Sequence, residues 1–201
     1  DSTRPPPQEL APAEVDAQSE SARKDGEQRL AAAERTGVLA SLPAVPVSAL
    51  VKVAPKLRVI RLENLGIEDL PCLDQELPKL TQIWLSGNLL KELPDPIPFP
   101  RLERFDVSNN VLESLPERGW EELTKLRELN CSHNRLALIP KALAHLSSLR
   151  VLSLSHNFVA DLPPELGALR EVTDFDVGNN VLLEIPEQLA GMRSLRRFNA
   201  E

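Results

Sequence analysis

Residues 126–140 read LRELNCSHNRLALIP. Two interpretations compete for this stretch. Cys131 stands close to His133, and a thiol beside an imidazole is how cysteine nucleophiles are activated and how zinc is often held. The same residues also space Leu126, Leu129, Leu136 and Ile139 around Asn134 and close on Pro140. If that spacing recurs along the chain, the stretch belongs to a structural repeat and the Cys–His proximity is incidental.

It does recur. LTQIWLSGNLLKELP starts at Leu80, LERFDVSNNVLESLP at Leu102, LRVLSLSHNFVADLP at Leu149 and VTDFDVGNNVLLEIP at Val172. LRVIRLENLGIEDLP precedes them from Leu57, and a seventh copy begins at Leu195 and runs to Glu201. The shared form is LxxLxLxxNxLxxLP, with starts 23, 22, 24, 23, 23 and 23 residues apart. Period-two alternation in the first half predicts a short strand, and the closing Pro ends the regular backbone. Successive strands then lie parallel, about 4.8 Å apart.

Each column of this alignment has a predicted place. The fourth position (Ile60, Ile83, Phe105, Leu129, Leu152, Phe175, Phe198) and the sixth (Leu62, Leu85, Val107, Cys131, Leu154, Val177, Ala200) are apolar throughout and read as core. The ninth holds Asn88, Asn110, Asn134, Asn157 and Asn180. Their amides are expected to bond backbone groups of the turns above and below, since a buried unpaired amide costs roughly 2 kcal/mol or more. The first copy departs, with Leu65 in that place and Asn64 shifted by one. Trp120, Leu143, Leu166 and Leu189 recur six residues before the next start and read as the buried edge of short helical turns. In DPIPFP, residues 95–100, three prolines forbid helix, so an extended segment is expected.

These residues resemble the leucine-rich repeat proteins, and the LP ending with a 23-residue period is similar to the intracellular Ras-group and Scribble-like class. The resemblance covers residues 57–201, six full repeats plus a truncated seventh. It implies an α/β solenoid with a curved parallel sheet on the concave face and short helical or extended segments on the convex face. It also implies recognition of a protein on the concave side. Ahead of the repeats, residues 13–56 read as a helical cap and an irregular first coil, with Asp25 as N-cap, Leu30 and Ala33 packing on the first turn, and Gly37 as stop. Residues 1–12, with PPP at 5–7, read as a disordered tail. At the other end, the open edge of the last strand is expected to be covered by more chain or by a partner.

Composition narrows the function. The chain has 201 residues and a net charge of -7 with mixed signs, so it lacks the basic stripe that nucleic acid requires. No run is long and apolar enough for membrane insertion. Two Cys do not make a disulfide framework, and extracellular members of the resembled family are commonly disulfide-capped, which points to a reducing, cytoplasmic setting. Cys131 in the core and Cys72 after the first repeat are not expected to pair.

Strand residues outside the core columns are expected on the concave face. Trp84 is the strongest candidate, an indole facing solvent with Arg61, Gln82 and Arg104 around it, because rigid aromatic anchors dominate protein interfaces. Asp174 and Asp176, with Asp106, Glu128 and Asn130 on nearby turns and Ser153 between, form an acidic patch suited to a basic partner segment. His133 and His156 fall in the same column of adjacent copies, within stacking reach, and read as ordinary surface filling. No catalytic, metal or cofactor site is expected. The function predicted is a non-catalytic scaffold that binds a protein. The alternatives are a targeting module of a larger kinase, phosphatase, GTPase or ubiquitin ligase, and a structural subunit of a large assembly.

Overall fold

The computed structural model describes residues 28–29, 31–40, 56–69 and 77–201. The Pro-rich tail, the upstream part of the expected cap helix, Leu30, residues 41–55 and Cys72 lie outside them. Among the described residues, eight three-residue strands form one parallel sheet in the order β1 to β8. They are β1 (Val38–Ala40), β2 (Val59–Arg61), β3 (Gln82–Trp84), β4 (Arg104–Asp106), β5 (Glu128–Asn130), β6 (Val151–Ser153), β7 (Asp174–Asp176) and β8 (Arg197–Asn199). Every pairing is in matching repeat register, so equivalent positions stack directly, as from Ile83 to Phe105 to Leu129. The chain is a leucine-rich repeat solenoid.

The sheet begins earlier than expected. Val38–Ala40, read as part of an irregular coil, is a strand in register with Val59–Arg61. Residues 31–36 are helical, Ala33 is fully buried, and Gly37 adopts φ 71° while its N–H bonds the Ala33 carbonyl at 2.8 Å. That left-handed turn stops the helix and delivers the chain straight into β1.

The core columns are filled as the alternation requires. Fourth- and sixth-position side chains from Ile60 to Val177 are all buried, Cys131 among them. The seventh copy differs: Phe198 is 41% exposed and Ala200 is exposed, with Phe198 packed on Phe175 through a ring contact at 5.5 Å. On the convex side the helical turns are 3-10 helices at Trp120–Glu122, Lys141–His145, Pro164–Ala168 and Glu187–Gly191. Each buries its expected residue, and the Trp120 indole donates to the Pro116 carbonyl at 2.6 Å. Residues 95–100 carry no helix, and Ile97 and Phe99 are buried there.

The Asn column works in one direction only. Asn134 donates to the Cys131 carbonyl of its own coil (3.1 Å) and to the Val107 carbonyl of the coil before it (3.0 Å), while its Oδ1 accepts from Leu112 N–H in that preceding coil (3.0 Å). Asn110, Asn157 and Asn180 repeat the pattern, and Asn88 makes the same donor bonds while its Oδ1 accepts from both Leu65 and Ile67. The expectation of bonds both above and below is therefore corrected. The equivalent carbonyl and N–H of the following coil are taken by the next Asn of the column, as the Leu154 carbonyl and Val159 N–H are by Asn180.

The eighth column follows a rule that hydropathy does not reveal. Asn64, Gly87, Asn109, His133, His156 and Asn179 all have positive φ, between 52° and 72°. The backbone must turn left-handed there to leave the strand, and Asn, Gly and His tolerate that region better than other residues. Asn64 is thus the first coil's member of this column, not a displaced rung of the amide ladder.

Replacing Asn134 by Ala leaves the buried Leu112 N–H without its acceptor and takes one of two amide donors from each of the Val107 and Cys131 carbonyls, which keep those of Asn110 and Asn157. It should lower stability by about 1–3 kcal/mol in urea unfolding. A Val at His133 should cost about 1–2 kcal/mol from left-handed strain, whereas His133→Asn should be close to neutral in the same assay.

Candidate concave site

The middle residue of each strand from β2 to β7 is buried and its two neighbours are not, so the flanking residues form two rows across the concave face. One row runs Val59, Gln82, Arg104, Glu128, Val151, Asp174, Arg197; the other runs Arg61, Trp84, Asp106, Asn130, Ser153, Asp176, Asn199. All ten residues singled out from the sequence lie on these rows, Arg61 opposite Trp84 in the pairing of β2 with β3. What each side chain has left to offer a partner depends on its neighbours.

Trp84 is half-buried. The Arg61 guanidinium carbon lies 5.7 Å from the centre of its ring, and the indole N–H donates to Gln82 Oε1 at 3.4 Å. The cation and the amide hold the ring in place, so its remaining area is presented with little ordering cost. Next to it, Arg104 pairs with Glu128 at 3.3 Å.

The acidic patch is smaller than the sequence implies. Glu128 is paired with Arg104, and Asp174 is bonded to Arg197 and to the Thr173 hydroxyl. The Thr173 hydrogen bond, followed by that of Arg197, holds the Asp174 carboxyl below the usual carboxylate range. Asp106 and Asp176 have no ion-pair partner among the described residues, yet each uses Oδ1 to accept the backbone N–H two residues on, from Ser108 (2.9 Å) and Gly178 (3.1 Å). Asn130 does the same with Ser132 at 3.1 Å. These short turns secure the exit of each strand and engage Oδ1 of each residue, leaving the second oxygen of each Asp and the amide nitrogen of Asn130 outside them.

Two open depressions lie along the rows. One of about 190 Å³ is lined by Trp84, Arg104, Asp106, Asn130 and Val151. The other, about 630 Å³, is lined by Val151, Ser153, Asp174, Asp176, Arg197 and Asn199. Val151, 38% exposed, is shared by both and was missed from the sequence. Its signal was an apolar residue in a row whose neighbours Glu128 and Asp174 are charged. Arg197 and Asn199 were missed because the seventh copy was read as an edge.

Cys131 and His133 do not form a reactive pair. Cys131 is fully buried, and burial, with a smaller effect of the Asp106 charge, pushes its thiol far above the ordinary range. His133 is exposed and stacks on His156, with ring centres 4.0 Å apart and planes 12° from parallel. Among the described residues, no three His, Cys, Asp or Glu side chains gather as a metal site. No described helix is long and apolar enough to cross a membrane.

Residues 78–136 and 100–159 match the family described as Leucine rich repeat. Rat osteomodulin is 38% identical over 71 residues, 35% of this chain and 16% of that protein. Mouse leucine-rich repeat serine/threonine-protein kinase 1 is 32% identical over 98 residues, 44% of this chain and 5% of the kinase. The chain thus spans a small part of the relatives it matches. Among solved structures, the leucine-rich repeat ectodomain of the Arabidopsis receptor kinase HAESA in complex with an N-terminally extended IDA peptide hormone ligand superposes with a TM-score of 0.67 at 29% identity. That superposition covers 76% of this chain and 27% of the receptor.

A lowered carboxyl pKa adds stability above the unfolded value, about 4, that is lost as pH falls through the folded value. The gap in urea midpoint between wild type and Asp174→Asn should therefore be present at neutral pH and close as pH falls below the unfolded value. A gap that persists in acid would show that the Asp174 contacts are not ionic in origin.

Proposed function

We propose that this chain, built of leucine-rich repeats, is a non-catalytic scaffold that binds a protein partner in extended form along its concave sheet. The observation that carries this reading is the continuous path from Trp84 through Val151 to Asp176, an aromatic anchor, an apolar floor and a carboxylate on one rigid surface. Such a surface gives directional contacts with little loss of freedom on binding. The face is open to water, which suits recognition better than catalysis. The HAESA complex supports the reading, since its repeats hold a peptide hormone. The unpaired Asp106 and Asp176 favour a partner segment carrying one basic residue rather than a strongly basic run, because Glu128 and Asp174 already have cationic neighbours.

A second reading makes this solenoid the targeting module of a larger enzyme, and the similarity to the mouse kinase favours it. The native polypeptide isolated from its source and weighed intact decides between the two, because an added catalytic domain raises the mass well above the 22.3 kDa of these residues. Placement inside the cell is also proposed, on the 23-residue period and the LP ending of the repeats, and immunolocalisation tests it.

Affinity capture with wild type, Trp84→Ala and Val151→Glu, each checked for an unchanged circular dichroism melt, tests the concave site. A specific partner should be lost by about tenfold or more from either variant, as expected for an interface anchor. Equal capture by all three chains moves the site off the concave face.

A further inference from the structure

A second surface stands apart from the concave rows. Leu138, Phe158, Val181 and Leu183 are 73%, 59%, 55% and 81% exposed, and all lie where the chain has left its strand in the fourth to sixth repeats. Backbone bonds join these segments directly: Phe158 N–H to the Leu136 carbonyl (2.9 Å), Val181 to Val159 (3.1 Å) and Leu183 to Ala160 (3.0 Å). The apolar residues therefore occupy neighbouring coils. Ile185 does not count among them, because its column is buried at Leu93, Leu115, Ile139 and Leu162. Phe158 and Val181 share an exposed column with Leu89, so their exposure belongs to the repeat itself and not to the end of the stack. Exposed apolar side chains gathered on adjacent coils are the setting in which interaction sites arise.

The surroundings specify the occupant. Two positions earlier in the repeat than Phe158, toward the strand, the exposed imidazoles of His133 and His156 stack on each other. On the convex side stand the exposed carboxylates Asp161 and Glu184. Arg135 precedes Phe158 in the same column, at the amino-terminal end. Coils recur about every 4.8 Å, close to the helical pitch of about 5.4 Å, so a helix lying across them offers roughly one apolar turn per coil. We propose that this flank docks an amphipathic helix of a protein partner, its apolar stripe on Phe158, Val181 and Leu183 and its basic edge against Asp161 and Glu184. The site is independent of the concave reading.

The test uses the isotope-labelled chain and a synthetic helical peptide with Leu at i, i+3, i+4 and i+7 and Lys along one edge of that stripe, beside a scrambled peptide of the same composition. Saturable amide shifts should centre on Phe158, Val181 and Leu183 with the helical peptide only. Binding should weaken about tenfold or more in Leu183→Asp, as for loss of a buried Leu anchor. It should also weaken several-fold in the Asp161→Lys, Glu184→Lys double variant. These side chains are exposed, so the variants should keep the wild-type melt. Absence of saturable shifts, equal binding of the scrambled peptide, or shifts confined to Trp84 and Val151 would each overturn the proposal, the last while leaving the concave site standing.

Discussion

The Asn side chain at the ninth place of each repeat is the constraint on which the rest of the solenoid depends. Its amide is buried in most coils and is satisfied only when the preceding coil supplies a carbonyl and an N–H. A buried amide without those partners costs as much as several weak contacts gain, so each coil is stable chiefly in the presence of the one before it. This fixes the vertical spacing, and the spacing aligns equivalent residues into columns. The concave rows, the stacked histidines and the apolar flank are all consequences of that alignment.

Leaving the strand imposes a second demand. The chain must pass through the left-handed region one residue before the amide, and Asn, Gly or His occupies that place in every copy from Asn64 to Asn179. Two residues ahead of the closing serine or glycine turn, Asp106, Asn130 and Asp176 each hold a backbone N–H with one side-chain oxygen. Residues that look free for recognition therefore carry part of the fold. A partner meets what remains after these internal bonds are made.

What remains is unevenly distributed. The concave face has one aromatic anchor backed by Arg61, an apolar floor residue in Val151, and charges largely paired along the rows. Pairing lowers the long-range field but leaves directional groups in fixed places, which favours selectivity over raw attraction. The flank of the fourth to sixth repeats offers the opposite balance, with exposed apolar area and charge only at its borders. Two faces of different chemistry on one rigid stack can engage different partners without sharing side chains.

The repeat period by itself determined the solenoid, the parallel sheet, the buried columns and which residues stand on the concave face, because stacking identical coils forces equivalent positions into line. The same alignment separates Cys131, a core position, from His133, which lies beyond the strand. Other features appeared only in the tertiary structure: the strand at Val38–Ala40, the backward direction of the Asn bonds, the Arg61–Trp84 contact and the pairing of Glu128 and Asp174 with arginines. Each depends on distances between residues of neighbouring coils, and on which of several possible neighbours a flexible polar side chain meets. A period fixes the column in which a side chain stands; the packed geometry decides the bond it makes there.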